Sequence, residues 1–291
     1  MQSVAVLTDS SASLPAELVA RYAITVVPIW LIDGERQRRD GLDIEAEELY
    51  RRLRADRALR ISSATPSVGE FLAAYDRLLA EHREIVSVHI SGKLTSIVEV
   101  ARQAAAQRPE ATVEVIDSGS ASMACGFAVL AAARAAQAGA SAAAAAAAAA
   151  AIAGRARLVG TLETLRYVEH SGRLKRAGAQ AAERLHLRPL ISIEAGRVRF
   201  LRMERTRRRA RQRLLELVER EAGGRPLHAA VIHAGVPDEA AGLAAALAER
   251  QDCVELVTSA FTPVLGGHTG PGFLGIAFYP FKEAAERLEA P

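Results

Sequence analysis

SVAVLTDSSASLPAELVARY, residues 3–22, contains the change of period on which the fold turns. Val4–Leu7 is a short apolar run without polar alternation, the pattern of a strand buried on both faces. It ends in Thr8-Asp9-Ser10-Ser11, and a helical pattern follows over 14–22. Ser13 is placed to cap that helix, with Pro15 in its opening turn.

The alternation recurs downstream. Thr25–Ile32, Ile85–Ile90 and Val113–Ile116 read as further buried strands, and helices are expected at 44–54, 66–80, 97–107, 119–137 and 141–153. Thr65 and Pro66 read as the cap and first residue of one of them. Strands separated by helices imply a parallel sheet covered on both faces, so the class is α/β. After about residue 158 the texture changes. Pro189–Glu194 and Arg197–Met203 suggest a hairpin, followed by a basic helix at 205–221, a strand at 227–233, a helix at 237–250 and a strand at 254–259. The expectation is a parallel-sheet domain over 1–158 and a mixed α/β domain over 159–291.

With 291 residues, half of them hydrophobic and 24% charged, the chain has the length and balance for a soluble protein with a sizeable core. Cys125 and Cys253 form no Cys-x-x-Cys pair and suggest no disulfide framework, and no signal peptide precedes the first strand. Both point to the cytoplasm. The apolar tract Ala142–Ala151 gains little from lipid transfer, so it is expected as a soluble helix. Charge is uneven: residues 1–158 carry a net −1 and residues 159–291 a net +4. Within 173–213, fourteen basic residues face only Glu183, Glu194 and Glu204, which suggests an anionic partner.

Chemistry-bearing residues gather where strands end. Thr8–Ser11, Ser91 with Thr95 and Ser96, and Asp117-Ser118 follow strands, while Ile61-Ser-Ser-Ala-Thr-Pro66 sets hydroxyls before a helix. In open α/β sheets ligands bind beyond the carboxyl ends of strands, where helix N-termini also point. Near the end of the chain, GGHTGPGFLG (266–275) satisfies G-x-G-x-x-G and reads as a glycine loop that carries His268. A dinucleotide loop must open a helix inside a βαβ unit. These glycines lead into the strand-like Gly275–Tyr279, so a nucleotide cofactor is not expected. Seven scattered histidines give no metal-ligand spacing.

An ordered set of short motifs adds to this. Thr8-Asp9-Ser10 with Leu14-Pro15, Pro28, Asp33-Gly34, Asp40-Gly41, Ser63-Ala-Thr-Pro-Ser67 and Ser91-Gly-Lys-Leu-Thr-Ser96 come first. Val115-Ile-Asp-Ser118, Ser122-Met123, Ser171-Gly172-Arg173, Arg205-Thr206 and His268-Thr-Gly-Pro-Gly272 follow. Nearly end to end, the chain resembles the DegV family, bacterial fatty-acid-binding proteins that include the binding subunit of fatty acid kinase. The resemblance implies two α/β domains with a long-chain fatty acid between them. It places Ser63, Thr95 and His268 at the carboxylate, with Ser91, Ser96 and Thr65 in the matching motifs. It also implies a non-catalytic role, with a fatty acid kinase subunit as partner and transient membrane contact. Arg173 and Arg205 would face the kinase, and Lys175, Arg176 and Arg207–Arg209 would add a steering field. Ala64, Ser96 and Ile97 depart from the family's serine, glycine and hydroxyl residue, which bears on head-group geometry.

Two rival functions compete with this one. A hydrolase using Ser or Thr with His268 needs an activated nucleophile, and no G-x-S-x-G occurs. A nucleic-acid binder using the basic helix at 205–213 would draw on phosphate contacts, but aromatics are only 4% and no known module appears. The tail of a fatty acid, at roughly 0.8 kcal/mol per buried methylene, outweighs one charged hydrogen bond of roughly 1.5–3 kcal/mol. The tail should therefore set affinity while the polar residues orient the head.

Overall fold

Val4–Asp9 forms β1, and all six residues are buried. The computed structural model describes residues 3–56, 58–173 and 187–281. β1 lies inside a four-stranded parallel sheet of order β2-β1-β6-β7, with β2 at Thr25–Val27, β6 at Glu84–His89 and β7 at Thr112–Asp117. The expected parallel sheet is present. The helices of this half of the chain are α1 (Ala16–Arg21), α2 (Ala46–Ala55), α3 (Val68–Leu79), α4 (Ile97–Ala106), α5 (Met123–Gln137) and α6 (Ala142–Ala153).

Three local expectations need correction. The run Thr25–Ile32 is two strands in different sheets, because Pro28 lacks the N–H needed to continue the ladder. β2 stops at Val27, and Trp30–Asp33 forms β3 in a separate antiparallel sheet of order β4-β3-β5, with β4 at Arg36–Arg39 and β5 at Ile61–Ala64. Ser13 does not cap α1: it closes a 3₁₀ turn over Ser10–Ala12 in the left-handed region (φ 51°), and the helix starts after Pro15. Nor does Thr65 cap α3. Ser67 does, in a capping box with Glu70, whose carboxylate accepts the Ser67 N–H at 2.7 Å. That leaves the Thr65 hydroxyl free for other contacts.

From Arg157 onward the strands form a six-stranded mixed sheet of order β10-β9-β8-β13-β11-β12. Its members are β8 (Arg157–Thr161), β9 (Arg188–Glu194), β10 (Arg197–Glu204), β11 (Leu227–His233), β12 (Cys253–Ala260) and β13 (Leu274–Pro280). Only the β11–β12 pair is parallel. The hairpin β9–β10 and the alternation after it match the pattern read from the residues. Short helix α7 (Arg166–His170) follows β8, while α8 (Arg207–Ala222) and α9 (Pro237–Arg250) pack on this sheet.

Helix α5 joins the two lobes. It is buried almost all round and touches β1 and β6 of one sheet as well as β8 and β13 of the other. Alanine dominates it because small side chains let two sheets and α6 approach at once. Arg134 near its end donates to Glu255 on β12 at 2.7 Å, and Glu255 also accepts from His228 at 3.0 Å. Burial pushes the Glu255 carboxyl up, but His228 and Arg134 outweigh it and hold it below the usual range.

Candidate functional site: a polar-ended cavity between the lobes

The carboxyl ends of the first-lobe strands face the mixed sheet across a cavity of ≈ 260 Å³. Its walls are apolar: Ile90, Ile97 and Ala121 from the first lobe, and Leu158, Ile191 and Phe273 from the second. Small-molecule sites usually run from about 300 Å³ upward, so this space suits a slender ligand. Ser63, Thr65, Thr95, Ser96 and His268 all line it.

Ser63 comes from β5, which ends at Ala64, and Thr65 lies two residues on, toward the same side. Thr95 and Ser96 come from the turn that opens α4. Ser96 is the N-cap of α4 but makes no side-chain cap bond. Its hydroxyl lies 3.0 Å from that of Thr65, which is also 3.3 Å from Thr95. Three hydroxyls thus cluster beside the unsatisfied N–H groups of a ten-residue helix, where the helix dipole favours a carboxylate.

His268 approaches from the other lobe, but not on a glycine loop. Pro263–Thr269 is a helix, α10, with Pro263 in its first turn and His268 in its last. Gly266 and Gly267 serve close packing: a Cβ at Gly266 would lie 2.4 Å from the Tyr50 ring, and one at Gly267 would lie 2.7 Å from Ile61. Only Gly270 (φ +81°) ends the helix in a conformation that favours glycine. His268 Nε2 sits 2.9 Å from Ser63 Oγ, whereas Nδ1 is buried without a hydrogen-bond partner. Burial, then the nearby Arg173 cation, lowers the imidazole from its ordinary value to about 4. It is neutral at physiological pH. Either group can donate in the Ser63–His268 bond; in the tautomer whose Nε2 accepts from Ser63, Nδ1 carries the proton and is left as a donor.

That shift has a measurable consequence. Between pH 6.5, the ordinary histidine value, and about 4, the unfolded chain binds a proton that the folded chain excludes. Stability contributed by neutral His268 is therefore present above that window and lost as pH falls through it. In ligand-free protein we expect a loss of about 1–2 kcal/mol between about pH 7 and pH 5. Urea titrations should show a larger drop for the wild type than for His268→Gln; equal drops would assign the acid sensitivity elsewhere.

The remaining residues divide. Ser91 is buried, donates to the Gly196 carbonyl at 3.2 Å and accepts the Lys93 N–H, so it ties the β6 loop to the β9–β10 turn and does not line the cavity. Arg173, read from the sequence as a partner residue, is exposed yet lines the cavity's edge, donating to the Ser171 carbonyl at 2.6 Å. Arg205 is exposed and stands apart from the cavity. Arg208 and Arg209 are exposed on the first turn of α8, while Arg207 pairs with Glu239 at 2.7 Å and Arg213 with Glu216 at 2.8 Å. Lys175 and Arg176 lie outside the described residues. Ser122 was missed as a site residue. It lines the cavity, its hydroxyl is buried without a partner, and its backbone has φ 52°. Only the Ser-Met motif drew attention to it. Among the described residues there is no cluster of three or more His, Cys, Asp or Glu side chains able to hold a metal, and no helix long and apolar enough to cross a membrane.

The Ser63–His268 distance meets the first demand of nucleophilic catalysis. The second fails: among the described residues no group orients Nδ1, and a base near 4 is poorly matched to neutral pH.

Fold and site define a two-lobed α/β protein with an apolar cavity between its lobes and a hydroxyl–imidazole end wall. A family model described as an uncharacterised protein of the DegV family matches residues 3–281, and the chain belongs to the DegV family. It is 36% identical over 275 residues to a DegV domain-containing protein of Streptomyces coelicolor, covering 94% of this chain and 97% of that one. A DegV family protein from Thermus thermophilus, described as fatty acid binding, superposes with a TM-score of 0.87 at 29% identity, over 96% of this chain and 99% of the other. DegV of Bacillus subtilis, described as a fatty acid binding protein, gives 0.86 at 27% identity, over 97% and 100%.

Proposed function

We propose that this protein binds a long-chain fatty acid between its lobes and presents the carboxylate to a fatty acid kinase that converts it to an acyl phosphate. One observation carries the reading: the apolar cavity between the lobes has a lining that includes Ser63 paired with His268 and the Thr65–Thr95–Ser96 hydroxyl cluster. The solved relatives described as fatty acid binding support it. The His268 Nδ1–H and the hydroxyls donate to the carboxylate, the α4 N-terminus favours its charge, and the apolar walls receive the tail. Denaturing extraction of purified protein followed by mass spectrometry should release stoichiometric long-chain fatty acid. Protein that is repeatedly lipid-free, and that takes up no added acid in micromolar titrations, overturns the reading.

The kinase step assigns different jobs to two arginines. Arg205 stands off the cavity, so Arg205→Ala should keep its fatty acid while acyl-phosphate formation with a cognate kinase falls at least about tenfold. Arg173 borders the cavity and lies near His268, so Arg173→Ala should weaken both retention and phosphorylation. Normal phosphorylation in both variants would remove these arginines from the docking surface.

A further inference from the structure

A second cavity of ≈ 210 Å³ lies where the end of β1, the segment after β4 and the start of α10 meet. It shares no lining residue with the cavity described above. Its floor is polar and its hydrogen bonding is incomplete. The hydroxyls of Thr8 and Ser13 and one carboxylate oxygen of Asp40, Oδ2, are buried without hydrogen-bond partners. Thr8 is 0% exposed, and Ser13 and Asp40 are each 3% exposed. Buried polar groups are rarely left unmet because each loses its hydration without replacement, so a site that retains several of them together calls for an occupant.

The other Asp40 oxygen is engaged. Oδ1 accepts the Val264 N–H at 2.8 Å, so the carboxylate closes the first turn of α10. Burial, and to a lesser degree the fully buried Asp9 beside the same cavity, pushes the Asp40 carboxyl up to about 6, against the lowering effect of the neighbouring Ser10 and Thr262 hydroxyls and the Val264 N–H. Both oxygens of Asp9 are already taken: one by the Ser11 N–H at 3.1 Å, the other by His89 at 2.9 Å and the Ile90 N–H at 3.2 Å. Asp40 Oδ2 has no donor in hydrogen-bonding geometry and only neutral hydroxyls beside it, so a positively charged donor would complete it.

The rim narrows the class of ligand. Val26 (36%) and Leu42 (65%) are two of the three large hydrophobic side chains exposed among the described residues, and both border this cavity with Leu14, Val19 and Pro28. A water molecule takes about 30 Å³, so a bare ion would leave most of the volume unfilled and the apolar rim without purpose. We propose that this cavity binds a small amphipathic cation, a primary alkylammonium group, with its nitrogen on Asp40, Thr8 and Ser13 and its alkyl part against Val26 and Leu42.

Calorimetric titration with n-butylammonium chloride tests this, with n-butanol and potassium chloride as comparators at matched ionic strength. The expected result is saturable one-to-one binding of butylammonium, at least about tenfold weaker for butanol, and none for potassium. Asp40→Asn keeps a carbonyl oxygen for the Val264 N–H but sets an amide donor in place of Oδ2, and should lower affinity at least about tenfold. Thr8→Val, which removes only a hydroxyl that bonds to nothing, should weaken binding while retaining the fold, should Asp40→Asn fail to fold. Absence of saturable binding, equal affinity for butanol, displacement by potassium, or wild-type affinity in the folded variants would overturn the proposal.

Discussion

Replacing Ala121 by phenylalanine is expected to abolish fatty acid retention in protein that still folds. Ala121 is buried (3% exposed) and forms part of the cavity wall beside the N-terminus of α5. A phenyl ring there occupies space that an acyl chain needs. Displacing about four methylenes at roughly 0.8 kcal/mol each removes about 3 kcal/mol, or on the order of a hundredfold in affinity. Head-group changes should be milder, because Ser63→Ala or Thr95→Val removes one hydroxyl donor and costs about 1–2 kcal/mol. The ranking is the test. Titration with a fluorescent long-chain acid should place Ala121→Phe well below both hydroxyl variants; the reverse order would mean that the tail does not set affinity.

Gly266→Val should be strongly damaging. A Cβ at this position falls 2.4 Å from Cε1 and 2.5 Å from the hydroxyl oxygen of Tyr50. Tyr50 is 1% exposed, and its hydroxyl donates to the Phe261 carbonyl at 3.1 Å, so the ring has nowhere to move. Overpacking of this kind costs about 1–3 kcal/mol, and breaking the buried hydrogen bond adds about 1 kcal/mol or more. Chemical denaturation should show a loss of about 3 kcal/mol or more, with fatty acid retention falling too because α10 carries His268. Combining the change with Tyr50→Ala should recover part of the loss, since the clash is with that ring. No recovery would mean that the glycine serves α10 in some other way.

Much of the first lobe was legible because its signals are local. Val4–Leu7 and Ile85–Ile90 are uninterrupted apolar runs, and a strand buried on both faces needs no more than that. The antiparallel sheet β4-β3-β5 was not legible. β4 is Arg-Gln-Arg-Arg and β5 is Ile-Ser-Ser-Ala, neither of which has a strand's apolar face. Their pairing with β3 supplies what their composition lacks. His268 was misplaced on a loop because glycine ordinarily marks a break. Here Gly266 and Gly267 lie inside α10, where the neighbouring Tyr50 and Ile61 leave no room for a side chain.

By itself the sequence determined the α/β class and the order of most elements, since each rests on spacing within a short window, and its motifs supplied candidate residues for the cavity. The tertiary structure alone decided which of those residues meet. Ser63 and His268 are 205 positions apart and lie 2.9 Å from one another, while Ser91, in an equally well matched motif, turns away to Gly196. It also decided that Arg173 borders the cavity while Arg205 does not, and that Asp40 closes a helix beginning 223 residues later while leaving an oxygen open. A side chain's direction and its unmet hydrogen bonds depend on packing between distant segments, and no local pattern encodes that.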